Sequence, residues 1–293
     1  FYKKKKIIKE VKPDIVFTNN IKGNVYAGLA CQMLKIKYVA NICGLGTPLE
    51  NGGLMQKITI FLYRFGLKKA QTIFFQNQEN RDFMIRHKVV SGNDRLIPGS
   101  GVNLEQYSYV KYPEHDTIDF VYVGRLMKEK GFDLYACACE KIRKKYPQTR
   151  FHVCGQYEDD YKDRVEDLVK KDMIIYHGLV DKMSDIYAEV NCTVHPTYYP
   201  EGMSNVLLES LAIGRPIITT DRPGCKEIVE DNVNGFIVNQ NDEEDLVDKI
   251  EKFIALKWDE KKQMGINGRK KVEREFDRNI VIEEYMRAIE KAV

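Results

Sequence analysis

Short continuous apolar runs alternate with amphipathic stretches along almost the whole chain, and this alternation constrains the fold more than any other feature of the sequence. Continuous apolar runs of this length are typical of strands that are buried on both faces, and the stretches between them have helical periodicity. Strands that alternate with helices in this way predict parallel βα units. We therefore predict an α/β protein.

The predicted elements fall into two unequal sets. In the first, strands are predicted at 14–18, 38–42, 72–76 and 95–97, and helices at 25–34, 54–70 and 79–87. In the second, strands are predicted at 119–123, 150–154, 173–176, 192–195, 216–219 and 235–238, and helices at 132–145, 161–171, 184–189, 205–213, 243–256 and 260–275, with a last helix at 279–292. Six strands suffice for a complete doubly wound sheet.

An aperiodic stretch at 105–117 separates the two sets, and we interpret it as a linker. The predicted domains are therefore 1–110 and 111–278, followed by a C-terminal helix at 279–293 that crosses back to the first domain. The chain starts within an amphipathic helix that carries Ile7, Ile8 and Val11. Because an earlier strand normally precedes such a helix, we expect the first domain to lack its beginning, on the order of 75–90 residues for three βα units.

Charge is distributed unevenly between the two halves. Residues 1–110 contain 17 Lys and Arg against 7 Asp and Glu, a net charge of +10, whereas residues 111–293 carry a net −7. A basic half predicts an anionic substrate or surface, and no nucleic-acid recognition motif is present. The basic start is followed by no apolar segment, so we expect no secretory signal. Seven cysteines without a Cys-x-x-Cys pair indicate a reducing cytoplasm.

Two glutamates, Glu201 and Glu209, are separated by seven residues and enclose the start of a predicted helix. They follow the strand at 192–195, and ligands of open α/β sheets bind at the carboxyl ends of strands. Gly202 allows a ligand to approach the backbone, and the first N–H groups of the helix can hold phosphate. A carboxylate on each side of this turn can accept hydrogen bonds from sugar hydroxyls.

A second segment, Gly124–Gly131, directly follows the strand at 119–123. It contains Arg125 and Lys130, which together can neutralise a diphosphate, because arginine offers a planar fork and lysine a point charge.

These segments resemble the retaining glycosyltransferases of family four, which have the GT-B fold of two Rossmann-like parallel-sheet domains. Glu201 and Glu209 match the E-x7-E motif of the family, and Arg125 and Lys130 match its basic pair. The resemblance extends from Ile7 to the last helix and includes the segments 97–103, 214–217 and 234–235.

The resemblance implies a role for each residue. Glu201 would bind donor-sugar hydroxyls and, with Arg125 and Lys130, make up the catalytic set, in which the two cations hold the diphosphate. Glu209 would bind the ribose of the donor. The other donor-binding residues would be Gly124, Gly155, Gly178, Leu179, Gly202, Met203, Ser204, Asn205 and Val206. The family requires no metal and no cofactor, because helix ends and cations stabilise the leaving diphosphate.

The resemblance also implies the substrates and their location. We expect a nucleotide-sugar donor, with UDP as the nucleotide, and a lipid-linked glycan acceptor of the kind used in capsular or O-antigen polysaccharide synthesis. The enzyme would be cytoplasmic or peripheral on the inner face of the plasma membrane, held there by its basic half. Relatives often have a histidine that contacts the donor where this chain has Cys43, and a backbone contact near 44–46 can substitute for it.

Several alternatives stay open. Two glutamates at this spacing also occur on solvated helix faces, and the apolar stripe at 54–65 is more typical of core than of membrane contact. His195 fits a cleft or a structural position, and Tyr198 and Tyr199 fit an acceptor cleft or an interdomain seam. Other functions compatible with the sequence are a GT-B sugar-nucleotide epimerase and an inactive fragment that only binds nucleotide.

Overall fold

A computed structural model describes residues 1–50 and 52–292, and within these residues ten strands form two parallel sheets. The chain divides into two compact units. Unit 1 comprises Phe1–Gly101, Pro200–Met203 and Arg278–Val293, and unit 2 comprises Val102–Tyr199 and Ser204–Asp277. The sequence instead placed its boundaries after residues 110 and 278, and it did not anticipate that Pro200–Met203, which include the first three residues of the E-x7-E motif, join unit 1.

Unit 1 contains a four-stranded sheet in the sequential order β1-β2-β3-β4. Its elements are α1 (Tyr2–Val11), β1 (Ile15–Asn19), α2 (Asn20–Lys22), a π-helix (Gly23–Ala27), α3 (Gly28–Leu34), β2 (Lys37–Ile42), α4 (Thr47–Glu50), α5 (Gly53–Leu67), β3 (Thr72–Phe75), α6 (Gln78–Arg86), β4 (Asp94–Leu96) and, from the end of the chain, α13 (Arg278–Ala292).

The two faces of this sheet are covered by different helices. Tyr38, Ala40 and Ile42 of β2 lie in a cluster with residues of α1, α3 and α5, whereas Val39 packs with Val281 and Ala288 of α13. Strand residues alternate between faces, so β2 contributes to both clusters. The first cluster and the α13 cluster together bury the sheet on both sides.

Unit 2 contains a six-stranded sheet in the order β10-β9-β8-β5-β6-β7. Its elements are β5 (Ile118–Val123), a 3-10 helix (Lys128–Lys130), α7 (Phe132–Lys145), β6 (Thr149–Cys154), a 3-10 helix (Asp159–Tyr161), α8 (Lys162–Lys170), β7 (Ile175–Gly178), α9 (Met183–Glu189), β8 (Cys192–His195), α10 (Asn205–Ile213), β9 (Ile217–Thr220), β10 (Gly235–Val238), α11 (Glu243–Ala255) and α12 (Trp258–Glu275). The α/β fold class predicted from the alternation is confirmed.

Most predicted boundaries agree with the structure to within two residues, and β7 is displaced by two residues for a physical reason. The sequence places this strand at 173–176, but it runs over Ile175–Gly178. The backbone N–H of Met173 donates to the carbonyl of Leu168 at 2.9 Å, and Asp172 has a φ of 55°. These residues therefore close the C-terminus of α8 and are not available to the sheet.

The expectation that the apolar stripe at 54–65 is core is wrong for most of its apolar residues. In α5, Ile60, Tyr63 and Leu67 are buried in the first cluster, but Leu54, Ile58, Phe61 and Phe65 are exposed. The helix has apolar residues on opposite faces, and the sheet covers only one of them.

A single buried arginine connects several elements of unit 2. Arg215 follows α10, is 0% exposed, and donates to carbonyls of both flanking helices and of the connecting segment. Its six acceptors are Tyr187 and Ala188 (both 2.8 Å), Val110 (3.0 Å), Lys111 (3.2 Å), and Ile213 and Gly214 (both 3.3 Å). The carbonyls at the C-termini of α9 and α10 carry partial negative charge, which stabilises the buried cation. Burial lowers the pKa of Arg215 to about 10, so the guanidinium stays charged at neutral pH.

We expect the substitution Arg215→Leu to lower the free energy of unfolding by about 3 kcal/mol or more, because it leaves several buried carbonyls without a donor. Arg215→Lys should also lower the free energy of unfolding, because one ammonium group cannot reach all six carbonyls that surround the guanidinium plane. Chemical denaturation measures both effects. Arg274→Leu, at a largely exposed arginine, is the control. A loss below about 1 kcal/mol for Arg215→Leu would contradict this account.

Candidate functional site

The candidate site of unit 2 lies where the strand order of its sheet reverses direction. The first strand of the unit, β5, lies between β6 and β8. Connections from β5 and β8 therefore leave the carboxyl edge of the sheet in opposite directions, and ligands of doubly wound folds bind at such a switch point. The segments that follow β5 and β8 contain Arg125, Lys130 and Tyr199.

The ring of Tyr199 lies next to both cations. The guanidinium carbon of Arg125 is 5.8 Å from the ring centroid, and Nζ of Lys130 is 4.9 Å from it. The preceding residue fixes this arrangement, because the backbone N–H of Tyr198 donates to the carbonyl of Glu129 at 3.0 Å. Sequence reasoning gave Tyr199 no role in binding a phosphate, and the structure places it with the predicted basic pair.

Arg125 also has a carboxylate partner. Its Nη1 lies 3.0 Å from Oε1 of Glu158, and both side chains are about half exposed. Ion pairs in such positions contribute only about 0–1 kcal/mol, so an anionic ligand can replace Glu158 at low cost. The backbone of Arg125 is held by the hydroxyl of Tyr122, which donates to its carbonyl at 2.8 Å.

Glu209 lies on α10 with two tyrosine hydroxyls directed at its carboxylate. The hydroxyl of Tyr187 is 3.4 Å from Oε2 of Glu209, and Tyr107 also donates to this carboxylate. Burial raises the pKa of Glu209, and the two tyrosines partly offset that rise. Because burial and Glu209 raise the pKa of Tyr187 well above its ordinary value, its hydroxyl stays a donor.

Sequence reasoning missed both tyrosines. Tyr187 is fully buried on a short helix, where an aromatic residue indicates core. Tyr107 lies in the aperiodic stretch before β5, and no local pattern relates it to Glu209. Only the tertiary structure brings the three residues together.

The start of α10 has an unused capping group. Ser204 is the N-cap residue, but its hydroxyl makes no capping hydrogen bond. Its Oγ is buried and has no hydrogen-bond partner among residues 1–50 and 52–292. The backbone N–H of Ser204 donates to Gly224 at 2.9 Å. The first-turn N–H groups of α10 and this hydroxyl are suitable donors for an anion.

Three glycines end neighbouring strands or follow them directly. The backbone N–H of Gly155 donates to the carbonyl of Gly178 at 2.7 Å, and a Cβ at Gly155 would lie 1.9 Å from the carbonyl oxygen of Gly124. Gly155 is therefore required by the close approach of the two turns. Leu179, next to Gly178, is 69% exposed. The roles of these residues toward a base stay predictions.

Residues 200–203 belong to unit 1, so Glu201 and Glu209 lie in different units. Gly202 is buried, and Nδ2 of Asn77 donates to its carbonyl at 2.7 Å. A Cβ at Gly202 would lie 1.9 Å from the carbonyl oxygen of Cys43 and 2.2 Å from Oε1 of Gln76. Protein atoms thus fill the space that a side chain at Gly202 would need, and Glu201 itself is partly exposed. The donor-binding role of Gly202 stays a prediction.

Residues 1–50 and 52–292 contain neither a metal-binding cluster nor a membrane-spanning helix. No group of three or more His, Cys, Asp or Glu side chains there has a geometry that could hold a metal ion. No helix there is both long and apolar enough to cross a membrane. His195, for which the sequence left two interpretations open, is buried in β8.

Two described protein families match different parts of the chain. Residues 109–271, more than half of the chain, match the family described as glycosyl transferases group 1, and residues 2–77 match the family described as glycosyl transferase 4-like. The chain therefore belongs to the group 1 glycosyl transferases.

Two relatives illustrate the family. The capsular polysaccharide biosynthesis glycosyltransferase CapM of Staphylococcus aureus is 32% identical over 249 residues, which are 79% of this chain and 62% of that protein. The N,N'-diacetylbacillosaminyl-diphospho-undecaprenol alpha-1,3-N-acetylgalactosaminyltransferase of Campylobacter jejuni is 22% identical, over 100% of this chain and 81% of that protein. The chain thus spans less than two thirds of the length of the capsular relative.

Solved structures share the fold. The crystal structure of HepE from Anabaena in complex with UDP superimposes with a TM-score of 0.84 at 16% identity, covering 98% of this chain and 82% of that one. The fold of this chain is therefore GT-B, as the resemblance implied.

Proposed function

We propose that this chain transfers a sugar from a nucleoside-diphosphate sugar, with UDP as the nucleotide, to a lipid-linked glycan acceptor during cell-surface polysaccharide synthesis, with retention of anomeric configuration. The observation that carries the proposal is the placement of Arg125 and Lys130 against Tyr199 at the switch point of unit 2. Two cations at the carboxyl edge of a parallel sheet can bind and neutralise a diphosphate.

The names of the relatives support both substrates. HepE has been crystallised in complex with UDP-glucose, and the Campylobacter relative is named as a transferase for a diphospho-undecaprenol acceptor. We infer a hexosyl or N-acetylhexosaminyl donor for this chain. The net charge of +10 on residues 1–110 supports a site of action at the inner face of the plasma membrane.

In the mechanism we propose, the bond between the anomeric carbon and the diphosphate oxygen breaks first. Negative charge develops on the leaving diphosphate, and Arg125, Lys130 and the first N–H groups of α10 stabilise it. The acceptor hydroxyl then attacks the anomeric carbon from the same face, and the leaving phosphate takes its proton. No side-chain nucleophile takes part, and no metal or cofactor is needed.

Glu209 would accept hydrogen bonds from the ribose hydroxyls, and Glu201 from the hydroxyls of the donor sugar. A carboxylate that is half-buried and held by two tyrosines loses little side-chain entropy when it binds a ligand. Tyr107 and Tyr187 therefore act as positioning residues for Glu209.

We expect Arg125→Ala and Glu201→Ala each to lower kcat for sugar transfer by roughly 100-fold or more, the magnitude typical for loss of a group that stabilises transition-state charge. Transfer of radiolabelled sugar to a polyprenyl-diphosphate-linked acceptor measures the rate, and circular dichroism confirms the fold. Arg164→Ala and Glu166→Ala, at exposed ion-paired residues, are matched controls. Wild-type transfer by both site variants would refute the site assignment.

We expect Glu158→Gln to tighten UDP binding by about 2–5-fold, because the carboxylate competes with the diphosphate for Arg125. Isothermal titration calorimetry measures Kd. The control is Glu166→Gln, which removes an equally exposed charge that pairs with Lys162 instead. Weaker binding in Glu158→Gln than in the control would show that Glu158 helps to hold Arg125 in position.

We expect Tyr187→Phe to weaken UDP binding by about 3–10-fold, the value of one hydrogen bond to a charged group. The loss should be much smaller for 2′-deoxy-UDP, because the variant disturbs the carboxylate that contacts the ribose. Tyr135→Phe is the control, since its buried hydroxyl donates to Phe120 and His152 and does not contact Glu209. An equal loss for both nucleotides would indicate a purely structural role.

A further inference from the structure

The turn formed by Pro200–Met203 is enclosed by loops that follow the strands of the unit 1 sheet. A Cβ at Gly44, in the loop after β2, would lie 3.2 Å from the carbonyl oxygen of Pro200. A Cβ at Gly99, after β4, would lie 2.5 Å from the Cβ of Met203. Distances this short leave almost no room for additional atoms, so the backbone of the 200–203 turn is held closely at the carboxyl edge of this sheet.

Asn77 connects the 200–203 turn to helix α6. The residue lies between β3 and α6 and is 2% exposed. Its Oδ1 accepts a hydrogen bond from the backbone N–H of Asn80 at 2.9 Å and thereby caps α6. Its Nδ2 donates to the carbonyl of Gly202 at 2.7 Å and lies 3.5 Å from the carbonyl oxygen of Glu201. One buried amide therefore uses its oxygen for the helix and its nitrogen for the turn.

Capping of α6 does not by itself require an asparagine at position 77. Serine, aspartate and asparagine cap helices about equally well, because each supplies a side-chain oxygen. Of these three, only asparagine also carries an amide N–H₂ group that can donate to carbonyl oxygens. The nitrogen of Asn77 is thus the part of the side chain that the helix does not need, and its acceptors are the carbonyls of the 200–203 turn.

We propose that Asn77 is a positioning residue for Glu201. By holding the carbonyls of Glu201 and Gly202, it fixes the peptide plane next to Glu201 and so the direction in which the carboxylate side chain leaves the backbone. A group that acts on a substrate must be held to within about 0.5 Å of its productive position. The inference rests on the proposed function, in which Glu201 binds the hydroxyls of the donor sugar.

This role separates sugar transfer from nucleotide binding. The residues proposed to bind the nucleotide and its diphosphate, Arg125, Lys130 and Glu209 among them, belong to unit 2, whereas Asn77 and Glu201 belong to unit 1. Loss of the Asn77 donor should therefore impair the step that depends on the sugar and leave the affinity for UDP nearly unchanged.

Two variants, Asn77→Ser and Asn77→Asp, keep an oxygen that can cap α6 and remove the amide donor. We expect each to lower kcat for the release of UDP from UDP-glucose or UDP-N-acetylglucosamine by about 10- to 100-fold, the cost of a misplaced reacting group. Isothermal titration calorimetry should give a Kd for UDP within about 2-fold of the wild type. Wild-type kcat in both variants overturns the proposal, and so does a loss of UDP affinity as large as the loss in kcat.

Asn93 offers a matched control in the same unit. Its Nδ2 donates to the carbonyl of Ala70 at 2.7 Å, a hydrogen bond of the same type and length that does not involve the 200–203 turn. Asn93→Ser and Asn93→Asp should retain kcat to within about 2-fold. If they lose as much activity as the Asn77 variants while circular dichroism shows all four folded, the loss reflects general loosening of unit 1, and the proposal fails.

Hydrogen–deuterium exchange of the full chain tests the anchor without reference to activity. Peptides that cover residues 200–203 should exchange roughly 5-fold faster or more in Asn77→Ser than in the wild type, whereas Asn93→Ser should leave them unchanged. Unchanged exchange in Asn77→Ser overturns the proposal, and faster exchange with wild-type kcat shows that the contact is only structural. If the wild type releases UDP from neither donor, the proposed function fails, and the exchange rates still decide whether Asn77 holds the turn.

Discussion

Unit 2 depends on a fully buried guanidinium that has no carboxylate partner among residues 1–50 and 52–292. Arg215 is surrounded by six backbone carbonyls, among them those that end α9 and α10 and those that lead into β5. The partial charges at two helix ends take the place of a counterion. Because α9 carries Tyr187 and α10 carries Glu209, the same arginine also sets the separation between a carboxylate and the hydroxyl that positions it.

Strand order decides which chemistry the unit can perform. With β5 at the centre, the segments that follow β5 and β8 leave the same edge of the sheet in opposite directions, and Arg125, Lys130 and Tyr199 come from those two segments. The two cations therefore lie next to an aromatic ring that comes from a distant part of the sequence. The start of α10, with its unused Ser204 hydroxyl, adds uncharged donors to the same unit.

Some glycines of the motifs are also required by packing within the protein itself. Gly202 follows Glu201, and the sequence explains it by the approach of a ligand. In the structure, the carbonyl of Cys43 and the side chain of Gln76 occupy that space. A sequence shows that a residue is glycine, but it does not show which neighbouring atoms would clash with a Cβ at that position. The same holds for Gly155, where the carbonyl of Gly124 is the neighbour.

The sequence by itself determined the alternation of strands and helices, the acidic and basic residues of the motifs, and the family, because these are local patterns of residue type and spacing. Helices α7 and α10 begin and end where their periodicity predicts. Tertiary structure alone decided which side chains meet. Tyr107 and Tyr187 contact Glu209 across long stretches of chain, and Phe61 and Phe65 stay exposed because the sheet covers only the other face of α5. Periodicity shows that a face is apolar, but what covers that face depends on packing between distant parts of the chain.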